Sequence, residues 1–351
     1  MRLCNILDVS KDFIGLLFFQ RDINFYYPTI GLKESIFSLV SSIIVLLNIR
    51  IIKFGREKLI EEIKQKYTGK GYYLLGSARS GIYSLLKCLN LPEDCEVLIT
   101  GFTCDVVANA VIQSGCKPLY VDINSETFGM DPGSLQKKIT KNSKVIIIQH
   151  TFGIPAKLDE LLAIANEYSL YVIEDCALSL DSYYKDKLTG NYGDAAVFTF
   201  ELSKTITANH GGLLKINTDK LNGAERYCSF YTSVPEASNR NVASELFQLG
   251  LSGLLYRPHL FVIGKYLLAL LYKMKLFKYS TTVDEKNAKL PDLYLTKLSS
   301  EQSQVLRSQW EKLSDIKDNS NTHASSYLCN IKYECAFASA KKNINNKTNL
   351  I

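Results

Sequence analysis

Leu170-Tyr171-Val172-Ile173-Glu174-Asp175-Cys176-Ala177, then Gly193-Asp194-Ala195-Ala196-Val197-Phe198-Thr199-Phe200-Glu201-Leu202-Ser203-Lys204 and Gly211-Gly212, is the stretch on which the fold turns. Leu170 to Ile173 and Ala196 to Phe200 are packed with β-branched and aromatic residues and bounded by turn signals, so both predict short buried strands. The first ends in two carboxylates. The second runs out toward one amine, Lys204. Such strands place an acid and an amine at the same edge of a sheet, and ligands in open α/β sheets bind at that carboxyl edge.

The flanking sequence repeats this alternation. Glu96 to Thr100, Pro118 to Asp122 and Val145 to His150 read as strands; Val106 to Gln113 and Leu158 to Tyr168 read as helices. The strands are apolar on both faces, which predicts a mostly parallel sheet flanked by helices, an α/β fold. Upstream, residues 29 to 66 carry helical spacing (Ile36, Leu39, Val40, Ile43, Ile44, Leu47), and this run is too short and too interrupted for a transmembrane span. Gly76-Ser77-Ala78-Arg79-Ser80-Gly81-Ile82 is a small-residue turn opening a helix whose apolar face is Ile82, Leu85, Leu86 and Leu89. A helix N-terminus with free N–H groups is a ready anion site. Taken alone, a capped helix without a ligand is the simpler reading.

Composition narrows the class. The 351 residues are 46% hydrophobic and 22% charged, with a net charge of +6, the profile of an ordinary globular protein. The positive charge forms no stripe, so no nucleic-acid partner is expected. Nine cysteines are scattered without a CxxC pair or a histidine spacing suited to zinc, so no metal site is expected. Buried thiols fit a reducing cytoplasm. Asp8, Lys11 and Asp12 interrupt any signal-peptide core near Met1. There is no GxGxxG after a strand and no GxxxxGK[ST], which ranks a nucleotide-binding α/β protein last.

One chemistry needs an amine and an acid so placed. Pyridoxal 5'-phosphate (PLP) forms a Schiff base with an amine, and an anion keeps its pyridine nitrogen protonated so that the ring acts as an electron sink. Lys204 would be the amine and Asp175 the anion. On spacing alone, the preferred reading is a strand-ending cap and a solvated loop lysine. The linked wording weighs against that. Glu174-Asp175-Cys176-Ala177, Gly193-Asp194, Phe198-Thr199-Phe200, Lys204 and Gly211-Gly212 resemble, in order and separation, the DegT/DnrJ/EryC1/StrS family of PLP-dependent sugar aminotransferases.

The resemblance, which covers roughly residues 29 to 330, implies the fold of the aspartate aminotransferase class (PLP-dependent transferase fold type I). It transfers phosphate binding to Ala78, Arg79 and Ser80, with Thr199 in support. Phe102, Cys104, His150 and Ala177 become candidates for lining the cofactor site beside Asp175 and Lys204. The chain departs from the family pattern in places. Cys104 stands where many members have a ring-stacking aromatic. Leu178 replaces a Gln or His near the cofactor's 3-hydroxyl, and His210 replaces a Glu before the Gly-Gly. Leu295 and Lys297 replace an Asn-x-Arg whose Asn reaches the partner subunit's cofactor phosphate.

The expected organisation is an N-terminal helical segment (1–70), a PLP-binding domain (71–225), and a helical insertion with an incomplete small domain (226–351). The implied activity is transfer of an amino group, in the family usually from glutamate, to a nucleotide-linked keto-sugar by a cytoplasmic homodimer. The alternative is an impaired family member with a binding or structural role. From Ala243 to Leu276 the chain is rich in Leu and Tyr, with Lys265, Lys273 and Lys275 among them. Packing against the large domain or a dimer partner is the expectation there. Contact with a membrane surface through 260–276 is the other reading.

Overall fold

A computed structural model describes residues 30–49, 52–278 and 295–330. Two helices, α1 (Leu32–Leu46) and α2 (Gly55–Lys66), precede the sheet. The alternating segment then gives β1 (Gly71–Leu75), α3 (Ala78–Cys88), β2 (Glu96–Thr100), α4 (Asp105–Gln113), β3 (Lys117–Val121), α5 (Pro132–Lys138), β4 (Ser143–Gln149), α6 (Leu158–Glu167) and β5 (Tyr171–Asp175). A small hairpin, β6 (Tyr183–Tyr184) and β7 (Lys187–Leu188), leads to β8 (Ala195–Thr199) and β9 (Gly212–Ile216). Helices α7 (Gly223–Ser233), α8 (Asn239–Leu255), α9 (Phe261–Lys273), α10 (Ser300–Trp310) and α11 (Leu313–Asn330) follow.

Seven strands form one sheet in the order β1-β9-β8-β5-β4-β2-β3. Strand β9 runs antiparallel to both neighbours, β1 and β8, and the other pairings are parallel. The sheet is therefore mostly parallel, as the alternation predicts.

Side chains alternate across a strand, and the two cores record it. On one face Leu75, Val97, Ile147, Ile173, Val197 and Leu214 meet the apolar sides of α3, α4 and α7. On the other, Leu98, Ile148 and Val172 meet α6, while Leu74, Phe198 and Leu213 meet α2 and α10. The sheet falls inside residues 71–225, but its cover does not. Helix α7 runs through the expected boundary at 225, and Tyr227 from it belongs to the first core. Leu59 and Ile63 of α2 share the second core with Leu306 and Trp310 of α10. The segments before and after the sheet are thus part of its packing.

The same alternation separates Glu174 from Asp175. Glu174 points with Val172, and Asp175 points with Ile173. Glu174 is fully buried. Its carboxylate accepts N–H bonds from Gly190, Tyr192 and Gly193, each at 2.7 Å, and a bond from His150 Nε2 at 3.1 Å. His150 Nδ1 accepts from the Ala156 N–H at 3.2 Å, so Nε2 carries the proton and donates. Burial alone would push the Glu174 carboxyl up; the bonds from His150, Gly193 and Gly190 hold it below the usual glutamate value.

Glu174→Gln replaces an acceptor by an amide whose NH2 faces N–H donors. The variant should lose about 3 kcal/mol of stability, measured by urea unfolding. A loss under about 0.5 kcal/mol would mean that this carboxylate does not organise the strand end.

Candidate active site

At the carboxyl edge of the sheet, on the face of the first core, lies a cavity of about 180 Å3. Its floor is apolar, with Ile82 from α3, Val106 and Val107 from α4 and Val197 from β8. Its polar wall holds Arg79, Gln149, Asp175, Thr199, Glu201 and Lys204. The strand-end acid and the loop amine therefore open into one space.

Asp175 ends β5 and is buried, with its Oδ1 accepting the Ala177 N–H at 3.0 Å. Burial pushes its carboxyl above the usual aspartate value, against the pull of the Ala177 N–H and of the Lys204 charge. Lys204 is half-buried, and its backbone N–H bonds to Glu201 O at 3.0 Å. Beyond Lys204, two buried glutamines of α10 hold the chain. Gln309 Nε2 donates to Thr207 O at 2.7 Å, and its Oε1 accepts the Thr207 N–H at 3.0 Å. Gln302 Nε2 donates to Ala208 O at 3.0 Å.

The α3 end of the cavity is set by close contact. Ser77 caps α3, accepting the Ser80 N–H at 3.2 Å. A Cβ on Gly212 would stand 2.3 Å from Ala78 N, so only glycine lets β9 lie against this helix start. Arg79 is buried and ion-paired with Glu201.

The sequence-derived candidates divide. Ala78, Arg79, Cys104, His150, Asp175, Ala177, Thr199 and Lys204 line the cavity. Ser80 does not. It is fully buried, and its hydroxyl donates to Ser77 O at 2.7 Å inside the helix cap. Phe102 is also outside the lining. It is 52% exposed, and its ring packs on Phe152 at 6.1 Å between centroids. The Cys104 thiol, near Asp105, is raised above its ordinary pKa by partial burial. His150 reaches the cavity rim while both ring nitrogens serve the Glu174 network, which is a positioning role.

Donor atoms of His150, Glu174 and Cys176 lie within 4.8 Å of one another, close enough for a metal. The His150 nitrogens and the Glu174 oxygens are engaged in the hydrogen bonds above, which gives this cluster a structural use.

Gln149, Thr103 and Glu201 also line the cavity, beyond the residues expected from the sequence. Gln149 Oε1 accepts from Thr103 Oγ1 at 2.5 Å, and Gln149 Nε2 donates to Thr151 Oγ1 at 2.8 Å. The signal for Gln149 was present: counting by two from Val145 and Ile147 puts it on the cavity face.

A second cavity, of about 450 Å3, adjoins the Lys204 turn. It lies between Glu201, Ser203, Asn209 and His210 on one side and Gln248, Tyr256, Phe261 and Tyr272 of the insertion on the other. Beside it, His210 Nδ1 and Glu245 Oε2 of α8 are 2.6 Å apart, both buried.

A family model describes the DegT/DnrJ/EryC1/StrS aminotransferases, and it matches residues 45–257. The chain belongs to this family. An uncharacterised protein of Methanocaldococcus jannaschii is 33% identical over 198 residues, 56% of this chain and 50% of that protein. The GDP-perosamine synthase of Escherichia coli O157:H7 is 34% identical over 140 residues, 40% of this chain and 38% of that enzyme. The chain thus spans half or less of the length of these curated relatives. Among solved structures, Helicobacter pylori PseC, an aminotransferase of pseudoaminic acid biosynthesis, superposes with a TM-score of 0.60 at 19% identity. That match covers 88% of this chain and 72% of PseC. A candidate sugar aminotransferase of Streptococcus pneumoniae in its PLP-form superposes with a TM-score of 0.61 at 18% identity, over 87% and 70% of the two chains. At these identities the structures show a shared fold.

The His210–Glu245 pair gives a pH signature. Burial would lower His210, but the Glu245 charge and hydrogen bond hold it above its ordinary 6.5. Burial would raise Glu245, but His210 holds it below its ordinary 4.5. A raised histidine stabilises fully below 6.5 and loses that contribution as pH rises through its folded value. A lowered glutamate stabilises above 4.5 and loses its contribution as pH falls through its folded value. Both contributions are intact between the two. The gap in melting temperature between the wild type and Glu245→Gln should be wider at pH 6 than at pH 9. An equal gap at both values would mean that the pair is not ionised.

Proposed function

We propose that the protein is a PLP-dependent aminotransferase that transfers an amino group, from glutamate, to a keto-sugar carried on a nucleotide. One observation carries the reading: Lys204 and Asp175 open into the same cavity, with Arg79 and Thr199 at its walls. Family membership supports the chemistry. The names of the relatives, GDP-perosamine synthase and an enzyme of pseudoaminic acid biosynthesis, support the sugar substrate by analogy.

The side chains suit the coenzyme. Its aldehyde needs an amine, its ring nitrogen an acid, and its phosphate a cation and N–H donors. These are Lys204, Asp175, and Arg79 with the first turn of α3. When bound, the coenzyme supplies an electron sink conjugated to the amine-bearing carbon. Lys204 would hold it through its amine. The free Lys204 amine would move the proton at the donor's α-carbon as general base and acid. Asp175 would hold the proton on the ring nitrogen. The apolar floor of Ile82, Val106, Val107 and Val197 excludes water from the reacting face. A two-fold homodimer, with sites at the subunit boundary, is part of this proposal.

A second reading, an impaired family member that binds without turnover, draws on Leu178. This apolar side chain lines the cavity where the family pattern calls for a hydrogen-bonding residue.

Spectroscopy separates these readings. Purified protein mixed with PLP should gain a visible absorbance band, Lys204→Ala should not, and glutamate should shift the wild-type band. A colourless wild type would overturn the coenzyme assignment, and a band indifferent to glutamate would favour the impaired reading. Burial raises the pKa of Asp175, so its ionised form opposes folding near neutral pH. Asp175→Asn should therefore melt higher than wild type without added coenzyme, while losing amino transfer.

A further inference from the structure

Helix α9 is apolar, yet it buries only Gly264 and Leu268. The burial is a narrow seam. A Cβ on Gly264 would stand 2.1 Å from Leu255 O of α8, so the two backbones touch there. Within the segment expected to pack as core, α8 does so, sharing a core with Val45 of α1 and Val305 of α10, while α9 meets α8 along this seam. Ile263, Leu267, Leu270 and Met274 recur at intervals of four, three and four residues, which at 3.6 residues per turn forms one stripe. They are 72%, 39%, 50% and 58% exposed. At about 100° per residue the stripe faces about 110° away from the seam. Single exposed apolar residues are ordinary on a protein surface, but a continuous stripe marks an interaction surface.

Charge selects the occupant. Between Glu245 and Asp284 the sequence contains no acidic residue, while it carries Arg257, Lys265, Lys273, Lys275 and Lys278. Lys265 lies about 170° from the stripe, whereas Lys273, about 90° from it, and Lys275, just past the helix end, are exposed beside Met274. A two-fold pairing of this stripe with itself would bring these lysines together without an acid from the same segment to neutralise them. An anionic bilayer meets both requirements. Apolar side chains enter the boundary between headgroups and acyl chains, and lysine stems reach back to the phosphates. Helix α9 has 13 residues, and no described helix is long and apolar enough to cross a membrane. The helix would lie in the surface plane. Helix α1 also exposes Ile36, Val40, Ile43 and Leu47, but carries no comparable set of lysines, so charge does not name its occupant.

We propose that α9 docks this protein on an anionic membrane surface, through the Ile263–Leu267–Leu270–Met274 stripe with Lys273 and Lys275 beside it. This does not depend on the catalytic reading.

The test is co-sedimentation of the full chain with vesicles of phosphatidylcholine, alone or mixed with phosphatidylglycerol. The protein should sediment with the mixed vesicles, little with phosphatidylcholine alone, and less as salt shortens the Debye length. Lys273→Gln with Lys275→Gln should weaken partitioning about 30-fold, at about fivefold per lysine. Leu267→Gln with Leu270→Gln should abolish it. All four side chains are exposed, so both variants should melt with the wild type. Equal sedimentation with both vesicle types, or none with either, overturns the proposal. So does a leucine variant that sediments like wild type. A leucine variant that falls from dimer to monomer in light scattering, with no vesicle binding by wild type, assigns the stripe to a second copy of the chain.

Discussion

A buried carboxylate organises this site without taking part in its chemistry. Glu174 sits where an unpaired anion would cost several kcal/mol. It is tolerated because three backbone N–H groups and the His150 ring converge on it. Those four bonds join the end of β5, the turn before β8 and the residue after β4. Strand geometry does the rest. With Glu174 fixed on one face, Asp175 must face the other, where the cavity lies. The carboxylate that is fully satisfied is therefore structural. Its neighbour, raised in pKa by burial and near an amine, has the perturbed character expected of a functional group.

The amine is placed by a different device. Lys204 lies on irregular backbone after β8, and a free turn would not hold it against the sheet edge. Buried side-chain amides from α10 do so, by bonding backbone groups at Thr207 and Ala208. An amide can satisfy an N–H and a C=O together, which suits backbone that has left its ladder. Helix α10 thus matters to the site although none of its residues reaches the cavity.

How much of this was legible follows from how far each signal reaches. The strands could be read because β-branched runs bounded by turns are local patterns, and period two gives each face. Lys204 and Asp175 could be read because order and spacing in one stretch survive folding. Ser80 and Phe102 could not be placed that way. Whether a hydroxyl faces a ligand or closes its own cap is decided within one helical turn, and Ser80 closes the cap. The direction of Phe102 depends on Phe152, fifty residues later. The Arg79–Glu201 pair links residues from α3 and the Lys204 turn, and no spacing rule joins them.

The departure at His210 shows how a local anomaly can have a distant answer. In the sequence, a histidine where the family pattern has an acid reads as loss. In the fold, an acid is present beside it: Glu245, supplied by α8, meets His210 at 2.6 Å and stays ionised by that contact. The acid that partners this turn is supplied by α8. A glutamate within the turn would be a local feature, whereas a His–Glu pair spanning two elements ties the turn to α8. Helix α8 also carries α9 through the Gly264 seam. The cavity next to the Lys204 turn, the buried pair and the exposed apolar stripe therefore lie along one continuous set of contacts. A substitution at Gly264 should loosen α9 while leaving the Glu174 network whole, because no hydrogen bond of that network comes from α8 or α9.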